Sequence, residues 1–318
     1  GGVTCFLAAL MGTQQNDIKR ILAYSTISQL GYMVIGISVA TASTVAVFHL
    51  FTHAFFKCLL FLCAGSVIVG MHHEQDIWKM GSLKNKMPLT FIMMGIGTFA
   101  LAGVPPFSGY FSKDLILEWA WIKGTPVFWF GAITIALTTF YIFRLFFVVF
   151  LGPPRSDEAK HAQESPRVML LPMLILSILS LTVGWPFIGH FFIQPVHPEH
   201  VPLFLRFILI GFLAVGALVA YLLYAKGPLK DPIQVAVFEN RFYIDNFYDW
   251  LVKEIQGRFA GICAFVDRWV VDGFVKIASG CVWLFGFCLR MLQVGNIQAY
   301  AFYFGAGILL IFFLLLSK

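Results

Sequence analysis

The sequence predicts an all-α, polytopic transmembrane helix bundle with one broken helix and one long amphipathic helix at the membrane interface. Composition is the first reason: hydrophobic residues make up 59% of the 318-residue chain, charged residues 12%, and the mean hydropathy is +0.83. A soluble domain is far less apolar. The apolar residues are also gathered into runs of about 20, the length that crosses a bilayer. The charged residues mostly separate these runs.

Seven runs are long enough to span the membrane, and the segment GGVTCFLAALMG at the start resembles the second half of an eighth. We therefore expect the chain to be the C-terminal piece of a longer protein. The full runs cover residues 22–40, 44–70, 89–122, 127–151, 169–192, 203–225 and 297–316.

The charge balance predicts how these runs are oriented. Lys and Arg number 22 against 16 Asp and Glu, but they do not cluster on one polar face as a nucleic-acid site requires. Most loop lysines and arginines fall on one side of the predicted topology, while Lys123 and Arg206 fall on the other. The positive-inside rule makes the first side cytoplasmic or matrix. We expect lipid, and no nucleic acid, around this chain.

The segment FHLFTHAFFKCLLF, residues 48–61, carries three ionisable side chains on one helical stripe. His49, His53 and Lys57 are spaced at i, i+4 and i+8. A charge at mid-membrane costs roughly 2.5–3.5 kcal/mol, so Lys57 should face a polar interior. Histidine titrates near neutrality, and removal from water favours a neutral amine, so the three side chains can pass protons.

Two alternatives to a proton relay remain for this stripe. Lys57 could pair with a carboxylate on another helix. His49 and His53 share the spacing of HExxH zinc helices, but the segment lacks the glutamate and a third ligand, so we expect no metal.

The six cysteines lie in apolar runs without a CxxC pair. They are predicted to be small buried hydrophobic residues.

The run 89–122 contains the segment LAGVPPFSGYFSKD, which predicts a break within the membrane. Pro105 and Pro106 stop a helix near Val104. Irregular backbone at membrane depth lines ion or substrate paths in transporters. Lys113 and Asp114 follow the break and form a second ionisable point. The alternative is a span that ends at Val104 with the lysine at the interface.

Residues 244–292 predict a long amphipathic helix. Charges such as Asp245, Asp249 and Lys253 recur at helical spacing, with aromatic residues such as Trp250 and Trp269 on the other face. At about 1.5 Å per residue the helix measures roughly 70 Å, too long for a span. We expect it along the positive-side interface, before 297–316 re-enters the bilayer.

Four motifs closely resemble one family, the antiporter-like subunit of respiratory complex I called subunit L or chain 5. They lie between residues 16 and 117, and FENRFYIDNFYDWL further on is similar to the start of that family's lateral helix. The four motifs are NDIKRILAYSTISQLGYM, FHLFTHAFFKCLLFLCAGSVI, EQDIWKMGSL and LAGVPPFSGYFSKDLIL.

The resemblance implies a proton-translocating, non-redox subunit of NADH-quinone oxidoreductase, driven by quinone reduction elsewhere in the complex. Lys57 corresponds to the central relay lysine, His49 and His53 to its companions, and Lys113 to the lysine of the broken helix. Lys113, with Asp114, would pass the proton to the side poor in Lys and Arg.

The same resemblance implies the surroundings of the chain. NADH, FMN, iron–sulfur clusters and quinone are expected in partner subunits, with no cofactor in this chain. The partners would be other membrane subunits, gripped by the lateral helix, in a bacterial cytoplasmic membrane or an organellar inner membrane. Four parts are predicted: a channel repeat with a truncated first helix (1–151), further transmembrane helices (152–225), a linker with the lateral helix (226–296) and a last transmembrane helix (297–318).

Other functions fit the same motifs. One is a subunit of a multisubunit cation/proton antiporter, and a related one is a subunit of a membrane-bound hydrogenase or inorganic-carbon uptake complex. We favour complex I over the antiporter because the chain ends soon after its last span. A third function is purely structural, with the long helix clamping its neighbours. A clamp predicts that Lys57 and Lys113 can become apolar without loss of pumping.

Overall fold

The computed structural model describes residues 1–40, 43–124, 126–293 and 295–317, and nearly all of its regular structure is helical. The described residues form no β-strand beyond one isolated bridge between Asp17 and Asp76. The chain divides into two compact units, 1–243 and 244–318. The division into four parts expected from the sequence, 1–151, 152–225, 226–296 and 297–318, stays a prediction.

The first unit contains twelve α-helices among its described residues. These are α1 (Gly2–Gln14), α2 (Ile18–Val39), α3 (Thr44–Gly70), α4 (Leu83–Lys86), α5 (Pro88–Ala102), α6 (Ser108–Ile122), α7 (Val127–Phe150), α8 (Asp157–His161), α9 (Arg167–Thr182), α10 (Pro186–Phe192), α11 (Leu203–Tyr224) and α12 (Ala236–Glu239).

Short polar connections set where the helices of the first unit begin. Asp17 caps α2, because its carboxylate accepts hydrogen bonds from the backbone N–H groups of Lys19 (2.8 Å) and Arg20 (3.1 Å). Pro88 stands at the start of α5, where its missing N–H costs nothing. Glu164 accepts a hydrogen bond from the next free N–H, that of Leu89, at 2.8 Å. The polar connections therefore satisfy helix ends that lipid could not.

Two apolar clusters fill the interior of the first unit. One includes Leu59 on α3, Leu101 on α5 and Leu145 on α7. The other includes Cys5 on α1 and Phe128 on α7. The ionisable side chains of α3 lie where α2, α3 and α6 meet, so they share one polar seam in a largely apolar interior.

The predicted broken helix is confirmed. Helix α5 ends at Ala102 and α6 begins at Ser108. Gly103 takes a left-handed conformation (φ 89°), and its N–H bonds back to the carbonyls of the last turn of α5. A glycine adopts this conformation without steric cost. The cis bond between Pro105 and Pro106 lies within the link.

A second break was not predicted, and the single helix expected over 169–192 is wrong. The structure has α9 and then the short helix α10, separated by residues 183–185. Pro186 starts α10, because its ring would clash with the carbonyl of Thr182 if α9 continued without a break. A Cβ atom at Gly184 would lie 2.5 Å from the Cα of Ser108, and the indole N–H of Trp185 donates to the carbonyl of Pro106 at 2.9 Å. The second break therefore packs against the first.

The outer surface of the first unit is apolar. Helices α9 and α11 expose large side chains such as Leu171, Ile178 and Phe207. Six helices in the described parts of both units are long and apolar enough to cross a membrane, four of them α2, α3, α7 and α11. An apolar exterior around a bundle of such helices is typical of an integral membrane protein.

The exposed surface also corrects the prediction for the cysteines. Cys5 and Cys63 are buried as expected, whereas the other four are exposed. An apolar side chain on a membrane protein can face lipid, so hydrophobic character does not by itself place it inside the bundle. The exposed cysteines are Cys58, Cys263, Cys281 and Cys288.

The second unit contains the predicted long amphipathic helix and a last apolar helix. The long helix runs over 244–292 as α13 (Ile244–Leu251), α14 (Gly257–Val266) and α15 (Asp272–Leu292). Two π-helical stretches, Val252–Gln256 and Asp267–Val271, join these parts. The last helix is α16 (Ile297–Leu316). At about 1.5 Å per residue the long helix is roughly twice the thickness of the hydrocarbon core.

Candidate functional site

The three ionisable side chains of α3 face the interior of the bundle. His49, His53 and Lys57 have relative exposures of 0%, 6% and 5%. Their spacing puts them on one side of α3, where α2 and α6 pack. The stripe seen in the sequence is therefore a buried polar seam.

His49 joins three helices through both of its ring nitrogens. Its Nε2 lies 3.1 Å from Oε1 of Gln29 on α2, and its Nδ1 lies 2.9 Å from Oγ of Ser112 on α6. An amide oxygen only accepts, so Nε2 carries the proton and Nδ1 accepts from the serine hydroxyl. Ser112 also lies 2.7 Å from Oγ1 of Thr52 on α3. The imidazole thus sits within a hydrogen-bonded chain that reaches the broken helix.

Lys57 is held by α2. Its ammonium donates a hydrogen bond to Oγ of Ser25, and Ser25 donates to the carbonyl of Leu22 at 2.8 Å. The Lys57 nitrogen also lies 5.5 Å from the ring centre of Phe61. Among the described residues, no ion pair includes Lys57. Its neighbours are a hydroxyl and an aromatic face, which leave the amine able to gain or lose a proton.

His53 and Lys113 are buried, and one polar atom of each is unsatisfied. Within the described ranges, neither Nε2 of His53 nor Nζ of Lys113 has a hydrogen-bond partner. The His53 ring centre is 6.1 Å from that of His49. The Lys113 nitrogen is 5.1 Å from the ring centre of Tyr32. Buried polar atoms of this kind normally bind internal water.

Asp114 borders a different space from its neighbour Lys113. Lys113 is 1% exposed, whereas Asp114 lines a cavity of about 230 Å³ together with Glu118, His197 and Arg206. Glu118 and Arg206 form an ion pair, with Oε1 and Nε 3.3 Å apart. The pair Lys113–Asp114 therefore stands between the buried seam and a cavity that contains further charged groups.

The five predicted residues fall into two groups that Ser112 connects. The α3 group is joined to α6 by the hydrogen bond between His49 and Ser112, and Ser112 directly precedes Lys113 in the chain.

The sequence analysis did not predict three polar partners of this site, Ser25, Gln29 and Ser112. Ser25 and Gln29 are spaced at i, i+4, the same spacing as the charged stripe, and this was the signal that could have found them.

A second buried charge was also missed. Arg144 on α7 is fully buried and contacts Oδ2 of Asp231 through Nη2 at 2.5 Å and Nε at 3.1 Å. It also donates to the carbonyl of Gln15 (2.8 Å) and to Oδ1 of Asn16 (3.1 Å). Tyr224 donates to the other Asp231 oxygen at 2.7 Å. This cluster fastens the segment after α11 to the bundle.

The spacing of His49 and His53 raised a metal site as an alternative. The described His, Cys, Asp and Glu residues form no group of three that could hold an ion. His49 and His53 are 6.1 Å apart between ring centres, and His49 already uses both ring nitrogens for hydrogen bonds.

Two protein families match the chain. The family described as NADH:quinone oxidoreductase/Mrp antiporter, TM, matches residues 1–139. The family described as NADH dehydrogenase subunit 5 C-terminus matches residues 141–240. The broken helix and all five predicted site residues lie within the first match.

Curated relatives and a solved structure extend these matches. NADH-quinone oxidoreductase subunit L of Rickettsia bellii is 37% identical over 311 residues, covering 87% of this chain and 48% of the relative. NADH-ubiquinone oxidoreductase chain 5 of Arabidopsis thaliana is 39% identical over 288 residues, covering 81% and 42%. A chain in the structure of the Mrp complex from Dietzia sp. DQ12-45-1b shares the fold, with a TM-score of 0.58, 22% identity and coverage of 92% of this chain and 33% of that chain. The chain spans about half the length of the curated relatives it matches.

Proposed function

The chain belongs to the family of antiporter-like membrane subunits that includes subunit L and chain 5 of NADH-quinone oxidoreductase, and on this premise we propose that it carries protons through the seam between α3 and α6. The observation that carries the proposal is the position of His49. It is hydrogen-bonded on both ring nitrogens, it shares one face of α3 with buried Lys57, and its partner Ser112 directly precedes buried Lys113 in the chain.

The proposed path begins at Lys57. Its ammonium releases a proton along α3 to His53 and His49, with internal water bridging the gaps between the side chains. Nε2 is bonded to the Gln29 amide, which carries no proton onward, so His49 takes up the proton on Nδ1 and releases it from Nδ1 to Ser112. As Ser112 gains this proton, its own hydroxyl proton moves on toward the neutral amine of Lys113. Asp114 then receives the proton. The path ends on the side poor in Lys and Arg.

The proposed driving force is electrostatic. Quinone reduction elsewhere in the complex changes the charge next to Lys57. In a low-dielectric interior a nearby charge strongly shifts the balance between the two protonation states of an amine. Lys57 therefore loads when a negative charge approaches and unloads when the charge is withdrawn. This chain acts as a non-redox subunit, while NADH, FMN, iron–sulfur clusters and quinone are bound by partner subunits.

The proposed partners are other membrane subunits of complex I, gripped by the long helix of the second unit. Its exposed aromatic side chains support this role, because aromatic residues are enriched in the buried centres of protein interfaces. Trp250, Trp269 and Trp283 are 55%, 67% and 69% exposed. The proposed location is a bacterial cytoplasmic membrane or an organellar inner membrane.

A second candidate is a subunit of a cation/proton antiporter. The first matching family includes both NADH:quinone oxidoreductases and Mrp antiporters. The same seam would then carry protons in exchange for another cation and would need no quinone chemistry. Dependence of proton movement on a sodium gradient instead of quinone reduction would favour this candidate.

The test is the substitution Lys57→Met in the full-length protein within its complex, reconstituted in liposomes. A proton-transfer group contributes at least about 100-fold to a rate, so proton uptake per quinone reduced should fall at least about tenfold even if water provides a bypass. Lys86→Met is the matched control, since it removes an exposed lysine and should leave uptake unchanged. Normal uptake by Lys57→Met at a normal assembly level would contradict the relay and favour the purely structural clamp.

A further inference from the structure

The cavity beside Asp114 lies at the end of the bundle that is poor in Lys and Arg. Asp114 and Glu118 are spaced at i, i+4 on α6, and both line the cavity. Helix α6 ends at Ile122, one turn beyond Glu118. Glu118 is therefore the last carboxylate on α6 before the helix ends at the membrane surface.

The ion pair in this cavity joins a buried group to an exposed one. The Glu118 side chain is 8% exposed and that of Arg206 is 51% exposed. A single contact of 3.3 Å, through Nε, joins them. Arginine keeps its proton at any accessible pH, so Arg206 can hold or release the carboxylate but cannot carry a proton itself.

A loop residue completes the cavity. The indole N–H of Trp119, on α6, donates to the carbonyl of Val196 at 2.9 Å and fastens the loop between α10 and α11. The next residue in that loop, His197, lines the cavity. Partial burial, with the positive charge of Arg206 nearby, lowers the pKa of His197 from its ordinary value. His197 is then neutral near pH 7 and able to accept a proton.

We propose that Glu118 and Arg206 form the outlet gate of the chain and that His197 is the last proton acceptor before water. The proposal deepens the proton-transfer function and rests on it. An O–H bond at Asp114 breaks as one forms at Glu118. Neutral Glu118 no longer holds the guanidinium, so Arg206 moves toward water.

The remaining steps return the gate to its first state. Glu118 passes its proton to His197, and His197 passes it to water. The Glu118 carboxylate is then charged again and re-forms its ion pair with Arg206. While the pair is closed, the positive charge of Arg206 at the mouth repels protons arriving from outside. The gate therefore couples the exit of one proton to exclusion of the next.

Three variants of the full-length protein in the reconstituted complex test the gate. Glu118→Gln has the size of the neutral carboxyl group but cannot gain or lose a proton, and proton uptake per quinone reduced should fall at least about tenfold. Glu118→Asp keeps the acid and should restore part of the uptake. Arg206→Gln should increase passive proton backflow under an imposed pH gradient by severalfold. Lys123→Gln, which removes an exposed positive charge from the same end of the bundle, is the control for both measurements.

The outcomes separate the gate from the proton path as a whole. Uptake in Glu118→Gln equal to wild type, or backflow in Arg206→Gln equal to Lys123→Gln, overturns the gate. If Lys57→Met blocks uptake in the same preparation, only the gate is wrong. If Lys57→Met and Glu118→Gln both pump normally, the proposed proton-transfer function is wrong as well as the gate. Loss of uptake in Glu118→Gln together with recovery in Glu118→Asp supports the gate.

Discussion

Removing Asp231 should destabilise the first unit by leaving the buried charge of Arg144 without its counter-ion. Breaking a buried ion pair on one side costs about 3–5 kcal/mol. The lower end applies here for two reasons. Arg144 keeps its hydrogen bonds to Gln15 and Asn16. Asp231 borders a cavity of about 230 Å³, so shortening its side chain to alanine should open the guanidinium to water in that cavity. We expect Asp231→Ala to cost about 3 kcal/mol.

The measurement is thermal unfolding of the assembled complex, read locally at a buried thiol. Cys63 is 0% exposed and lies in the same apolar cluster as Tyr224, the partner of Asp231. Maleimide labelling of Cys63 on heating, followed by peptide mass spectrometry, reports opening of this cluster. For a unit of this size, about 3 kcal/mol corresponds to roughly 6–12 °C.

Two further variants make the result specific to the buried pair. Asp157→Ala breaks an ion pair with Lys160 that is largely exposed, so the labelling temperature should not change measurably. Replacing both buried partners, Arg144→Met with Asp231→Leu, should recover most of the loss, because no uncompensated charge remains. Labelling of Cys63 in Asp231→Ala within a degree or so of wild type would refute the reasoning.

The remaining predictions concern the broken helix and the long helix. Lys113→Met should abolish proton uptake with little loss of packing. Lys113→Arg should also abolish uptake, because arginine does not release its proton, while quinone reduction should be less affected in both variants. Normal uptake by the arginine variant would show that a positive charge alone suffices at this position. A chain that stops after Tyr243 retains Asp231 and should keep its first unit intact, while native gels should show weaker retention of neighbouring membrane subunits. Equal retention by the shortened and full-length chains would contradict the grip of the long helix.

The features predicted from sequence were those fixed by local chemistry. Two consecutive prolines, Pro105 and Pro106, predict a helix break within the run 89–122, and the structure confirms it. The stripe of His49, His53 and Lys57 follows from helical periodicity alone. By contrast, Pro186 gave an ambiguous signal, because a proline can begin a helix as well as end one. The apolar run continued across it, so one helix was expected where two exist.

The missed contacts depend on segments far apart in the chain. His49 is bonded to Gln29 and Ser112, which are 20 and 63 positions away. The i, i+4 spacing of Ser25 and Gln29 marks a polar face of α2, but it does not say which helix that face contacts. Arg144 and Asp231 are separated by 87 positions, with the arginine inside an apolar run and the aspartate in a connection. Nothing local indicates that two such residues meet. Only the packing of α7 against α11 and the segment after it brings them together.

The contact between the two helix breaks has a mechanical consequence. Gly184 has no side chain that could yield, and Trp185 is bonded to the carbonyl of Pro106. We therefore expect a rotation of α6 about its own axis to displace α10 as well. Phe187 and Phe191 of α10 are 74% and 84% exposed, so that motion reaches the outer surface of the bundle. We therefore expect pressure on these two rings, from lipid or from an adjoining subunit, to be transmitted through the contact between the two breaks to α6, the helix that carries Lys113.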